Sequence, residues 1–136
     1  ICKCKSMGIS KVIYPDLLYK VNGILFETHN DLGRYANEKQ YCDRIEIGLK
    51  DAGLQYEREE VLDIAFKGET PGRNKVDFIV EDKILIEAKA KRLITREDYY
   101  QIQRYLRAIN KKLVILVNFR DKRIAPKRIL NSDSKE

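Results

Sequence analysis

The run from Asn74 to Lys89 restricts the architecture of this chain more than any other stretch. Val76 to Val80 and Ile84 to Ala88 are rich in Val, Ile and Phe, and the Glu81-Asp82-Lys83 between them is polar and of hairpin length. Two antiparallel strands are therefore predicted. If the loop is residues 81–83, Val80 faces Ile84 and, counting outward, Asp77 lies directly opposite Glu87. Side chains alternate along a strand, so Leu85, Glu87 and Lys89 share one face. Opposed Cβ atoms lie about 5 Å apart, where two like charges are destabilising. A cation between them removes that penalty.

The residue types say which cation. Mg²⁺ takes near-octahedral oxygen ligands at about 2.1 Å, usually one or two carboxylates, with water and phosphate filling the rest. Asp77, Glu87 and the backbone carbonyl of Ala88 can supply the protein's share of ligands for Mg²⁺ or Mn²⁺. Lys89, two residues beyond Glu87 on the same face, is placed to orient a water or help deprotonate it. Such a set points to phosphodiester hydrolysis. Short patterns of this kind also recur by accident, and a solvated surface hairpin is the competing reading.

Two helices flank the hairpin. Thr95-Arg-Glu-Asp98 is a capping signal opening a helix whose buried stripe is Ile102, Leu106 and Ile109, with Gln101 and Tyr105 four apart beside it. Asn37-Glu-Lys-Gln40 is another, with Tyr41, Cys42, Ile45 and Leu49 as the apolar face of a helix ending near Gly53. Glu38 leans toward the core side of that helix, where an acid also complements the helix dipole.

Glu38, Asp77, Glu87-Ala88-Lys89 and Gln101-Ile-Gln-Arg-Tyr105 stand in an order that resembles the PD-(D/E)XK nuclease superfamily, especially its RecB-like branch with a Gln-x-x-x-Tyr motif. From Tyr19 to about Phe119 the chain looks more specifically like the small GxxExxY proteins, through Phe26-Glu-Thr-His-Asn-Asp-Leu-Gly33 and Glu38-Lys-Gln-Tyr41. Tyr35 departs from that pattern by standing where the naming glycine belongs, which puts the local loop shape in question. The resemblance implies a restriction-endonuclease-like α/β core, a central mixed sheet flanked by helices. It implies that Asp77 and Glu87 are metal ligands, that Lys89 is the catalytic lysine, and that Glu38 is a further ligand, direct or through water. Gln101 and Tyr105 would position the substrate phosphate or brace Lys89.

Charge indicates the partner. Residues 1–88 hold 13 Lys and Arg against 16 Asp and Glu, a net of −3, and residues 89–130 hold 13 against 3, a net of +10. The last six residues contribute −1, giving the total of +6. Lys91, Arg92, Arg96, Arg104 and Arg107 can flank the carboxylates, and Arg120, Lys122, Arg123, Lys127 and Arg128 form a basic end. That field suits a nucleic-acid backbone, DNA in the leading reading. Tyr99, Tyr100 and Tyr105 interleave with the arginines and suit either stacking on bases or packing.

The remaining segments supply scaffold. Pro15 to about Asn30 reads as a helix with Leu17, Val21, Ile24 and Leu25 on one side; Leu54–Arg58 and Val61–Phe66 read as a strand or a broken strand. A loop from Lys67 to Arg73 leads into the hairpin, and Leu113–Asn118 is a continuous apolar strand. At 136 residues and 43% hydrophobic, the chain makes a single domain, residues 1–136, with 1–14 and 131–136 peripheral. It has no apolar run long enough to span a membrane. Cys2 and Cys4 are too close together and too terminal for a usual metal site, Cys42 fits a buried helix face, and a reducing cytoplasm is the expected setting. Met7, the only methionine, is a candidate natural start. His29, the only histidine, sits beside a helix end, where a structural hydrogen bond competes with a site role. Two alternatives to a metal-dependent nuclease stand: a non-catalytic nucleic-acid-binding or assembly module, and a Holliday-junction resolvase, which needs a homodimer.

Overall fold

The computed structural model describes residues 13–62, 64 and 66–131. Over these the elements run α1 (Pro15–Leu32), α2 (Glu38–Asp51), β1 (Tyr56–Val61), β2 (Lys75–Val80), β3 (Ile84–Lys89), α3 (Arg96–Ala108), β4 (Leu113–Asn118) and β5 (Lys127–Leu130). The strands form one sheet in sequence order. β3 and β4 pair parallel and the other neighbours antiparallel. A parallel pair needs a long crossover, and α3 provides it. The α/β class with a mixed sheet and flanking helices is as expected.

Val80 pairs with Ile84, which makes residues 81–83 the hairpin loop. Glu81 and Asp82 turn the chain in left-handed conformations, φ 53° and 55°, and the Lys83 N–H closes the turn on the Val80 carbonyl at 3.0 Å.

Alternation along β3 divides the core. Ile84, Ile86 and Ala88, with Leu113, Ile115 and Val117 of β4, pack under Val21, Leu25, Ile45 and Leu49 of α1 and α2. Leu85, Val114 and Leu116 face the other way and pack on Ile102, Tyr105 and Leu106 of α3. Every residue of β4 is buried, as expected of a strand covered on both faces. α1 and α2 pack closely because Gly48 lies between them: a Cβ there would sit 2.6 Å from Ile24 Cγ2. Tyr41 joins the helix pair to the end of β4. Its ring stacks on Phe119 at 4.3 Å between centroids, and its hydroxyl donates to the Gly33 carbonyl at 2.6 Å.

Several local expectations need correction. α1 runs on to Leu32, and Leu18 is its first buried residue while Leu17 is only partly buried. Among the described residues only Tyr56–Val61 of the two proposed strand segments is a strand; beyond it Leu62 is buried, but Ile64 and Phe66 are 43% and 62% exposed. Ile109 caps the end of α3, half-buried, instead of completing its stripe. β5 is an additional strand with no signal in the sequence: its edge position leaves Lys127, Arg128 and Leu130 exposed, so it carries no hydrophobic pattern. Residues 1–12 and 132–136, including Cys2, Cys4, Met7 and most of the two ends expected to be peripheral, lie outside the described residues. Asn131 is anchored, its N–H donating to the Lys112 carbonyl at 2.9 Å. Among the described residues no helix is long and apolar enough to cross a membrane.

Candidate active site

Asp77 sits where the ladder of β2 lapses. β1 pairs with Val76 and Phe78 on either side of it, and the β2–β3 register begins at Phe78↔Ile86. Carboxylates take over the backbone's hydrogen bonding there. The Ala88 N–H donates to Asp77 Oδ2 at 2.8 Å, and the Asp77 N–H donates to Glu87 Oε1 at 3.3 Å. The two acids are thereby held together between strands, as the hairpin count predicts.

Both acids are largely buried. Glu87 is only 5% exposed, and burial, with the Asp77 charge added, pushes its pKa up to about 8 against the opposing pull of Lys89. Asp77 is also raised, mainly by burial, although the Ala88 N–H and Lys89 favour its charged form. Hard oxygen donors so placed match the preference of a divalent cation for one or two carboxylates. Asp77 and Glu87 fit that role. Among the described residues no group of three or more His, Cys, Asp or Glu side chains converges as a ready-made metal cage, so Glu38 does not join the pair in one cluster.

Glu38 stands at the rim, in the first turn of α2. Solvent reaches it, yet partial burial raises its pKa, with Lys89 pulling the other way and Asp77 adding repulsion. Lys89 lies at the centre of the charge balance. Its ammonium donates to Gln101 Oε1 at 2.7 Å and lies 3.4 Å from Glu87 Oε2 and 3.8 Å from Asp98 Oδ1. Tyr105 is buried, and its hydroxyl is hydrogen-bonded to Glu87; burial and the two acids keep that hydroxyl protonated. Gln101 and Tyr105, one turn apart on α3, thus reach Lys89 and Glu87 respectively.

The other proposed residues are placed differently. His29 Nε2 lies 3.0 Å from the Asp121 carbonyl and its ring 6.2 Å from Phe119, so its contacts are with the segment after β4 and not with the carboxylates. Lys91 is ion-paired to Asp98 at 3.0 Å, while Arg92, Arg96, Arg104 and Arg107 are exposed.

Two further residues join the site. The sequence marks Asp98 only as a cap, accepting from the Thr95 N–H at 2.7 Å, but the same buried carboxylate faces Lys89 and Lys91, and the Thr95 and Lys91 hydrogen bonds hold its pKa down despite burial. Asn118 ends an apolar strand opposite Lys89, and its amide both donates to and accepts from the Lys91 backbone, at 2.7 and 3.1 Å. A lone polar residue closing β4 was its only signal.

A model of the PD-(D/E)XK nuclease superfamily matches residues 15–129. The chain belongs to that superfamily. Its members are typically nucleases that use divalent metals, so the membership carries a nuclease-type activity and a nucleic-acid substrate as its general expectation. The match runs from the first residue of α1 into β5, spanning every element that builds the site. No curated protein and no solved structure matches the chain significantly.

Proposed function

We propose that this PD-(D/E)XK protein is a Mg²⁺- or Mn²⁺-dependent nuclease that hydrolyses DNA phosphodiester bonds, of the RecB-like, GxxExxY kind. The observation that carries the reading is the convergence of Asp77, Glu87 and Lys89 with Gln101 and Tyr105 of α3, all within a superfamily of nucleases. Asp77 and Glu87, with the Ala88 carbonyl, would hold the cation, with Glu38 as a further ligand, direct or through water. When bound, the cation would supply Lewis-acid stabilisation of the scissile phosphate and acidify water. Lys89, aimed by Gln101 and Asp98, orients the attacking water and offsets charge developing on the phosphate. Tyr105 fixes the Glu87 carboxylate through its hydroxyl, so that both carboxylate positions are set before substrate arrives. Arg92, Arg96, Arg104 and Arg107 hold the phosphate backbone on the flank, as exposed cations do without reading sequence.

The test is cleavage of supercoiled, linear duplex and single-stranded DNA by the full chain in Mg²⁺ or Mn²⁺, with EDTA as control. The wild type should cut and EDTA should stop it; Glu87→Ala and Lys89→Ala should lower the rate by at least about 10²-fold. Cleavage surviving in either variant would sink the mechanism. Salt-sensitive binding with no cleavage in any metal would assign the chain to nucleic-acid binding alone.

A further inference from the structure

Tyr35 is 78% exposed on the loop between α1 and α2, an unusual place for an aromatic ring with no core to fill. Two guanidinium groups approach it: Arg34 at 5.3 Å and Arg120 at 5.8 Å from the ring centroid. That much exposure means the two arginines leave most of the ring open.

The loop is fixed to the site end of the sheet. Arg34 Nε donates to the Arg120 carbonyl at 2.8 Å, and Asn118 Oδ1 accepts from the Arg120 N–H at 3.2 Å. Asn118 is the register partner of Lys89. Glu38, which feels the charge of Lys89, follows Tyr35 by three residues. Tyr35 therefore stands at the carboxyl ends of the parallel pair β3 and β4, where ligands of open α/β sheets bind.

We propose that Arg34, Tyr35 and Arg120 form a stacking site that takes an unpaired base of a nucleic-acid strand next to the carboxylates. The proposal rests on the nuclease reading for its choice of ligand, and it narrows the substrate to strands with unpaired bases at that position. An open aromatic face is what a base requires, and flanking guanidiniums supply both cation–π attraction and phosphate contact. Bases inside a duplex already stack on one another and cannot offer a face to a side chain. Lys122 and Arg123, both exposed in the segment after β4 that also carries Arg120, extend the positive charge and make the surroundings unlike an apolar protein-docking patch.

The experiment measures binding of the full chain, in EDTA, to a labelled single-stranded oligonucleotide and to a blunt duplex, with 2-aminopurine placed along the single strand. Tyr35→Ala and Tyr35→Leu should weaken single-strand binding by about 5- to 150-fold, while Tyr35→Phe, which keeps the ring, retains it. Quenching of 2-aminopurine at one position should accompany binding of the wild type and Tyr35→Phe and vanish in the other two. Duplex affinity should not change with any of them. Equal single-strand affinity of Tyr35→Ala and wild type, or the same loss on duplex as on single strand, would overturn the proposal. Since no metal or cleavage enters this measurement, failure here leaves the nuclease reading to its own assay, and failure of cleavage leaves this result standing.

Discussion

Replacing Glu87 with Gln should make the metal-free protein more stable at alkaline pH while abolishing its response to metal. Glu87 is 5% exposed, its Oε1 accepts from the Asp77 N–H, and its Oε2 lies 3.4 Å from the Lys89 ammonium. Burial first, then the Asp77 charge, raises its pKa from 4.5 to about 8. The folded state therefore keeps a proton that the unfolded state releases above pH 4.5. Stability contributed by this residue is full below that pH, falls as pH rises toward 8, and then levels off. The slope is at most about 1.4 kcal/mol per pH unit for one proton, so the whole window is worth up to roughly 5 kcal/mol. Gln copies the protonated acid in size and neutrality. At pH 8 in EDTA, Glu87→Gln should exceed the wild type by about 2–4 kcal/mol, on the order of 5–15 °C in Tm for a chain of this length. Asp77 and Glu38, whose pKa values are also raised, leave a shallower slope in the variant. Thermal unfolding from pH 5 to pH 8, with EDTA and then with Mg²⁺, reads all of this. Wild type at pH 8 should gain stability from Mg²⁺ and the variant should gain little. Parallel pH profiles of the two proteins, or a variant less stable than wild type at pH 8, would refute the reasoning.

Other outcomes follow from the same structure. Asn37→Ala removes the side chain that accepts from the Gln40 N–H at 2.9 Å and should cost about 1 kcal/mol by denaturant unfolding with no change in m. Gly48→Ala drives a methyl into Ile24 Cγ2 and should destabilise by about 1–3 kcal/mol in the same assay. Arg104→Ala with Arg107→Ala should flatten the dependence of log binding constant on log salt by up to about 2, and an unchanged slope would take these arginines off the backbone-binding surface. Asp98→Asn should lower the cleavage rate and shift its pH profile, since Lys89 then keeps Gln101 and Glu87 but loses one of its two carboxylate neighbours.

What the sequence reveals here follows how local each feature is. The hairpin register from Val80↔Ile84 outward, the Asn37 capping box and the fully buried Leu113–Asn118 are written in neighbouring residues, and all three stand in the structure. β5 is invisible to the same reading because an edge strand of Lys, Arg, Ile and Leu needs only the free side of β4 to form. At the site, spacing alone pairs Asp77 with Glu87, but the lapse of the ladder at Asp77 and the use of its carboxylate by the Ala88 N–H belong to three-dimensional packing. Asp98 shows the limit most clearly. Its capping signal is complete within four residues, and that sufficiency hides its second use beside Lys89. His29 shows the converse: for a residue type rich in chemical suggestion, the hydrogen bond the structure shows is to the Asp121 carbonyl in the loop after β4.

A crystal soaked in Mn²⁺ and measured at the manganese absorption edge tests the central claim most directly. Anomalous density between the Asp77 and Glu87 carboxylates, with oxygen ligands near 2.2 Å and Lys89 turned toward the open side, is the predicted result. Carboxylates that stay bound to the Ala88 and Asp77 N–H groups, with manganese elsewhere or nowhere, would contradict it.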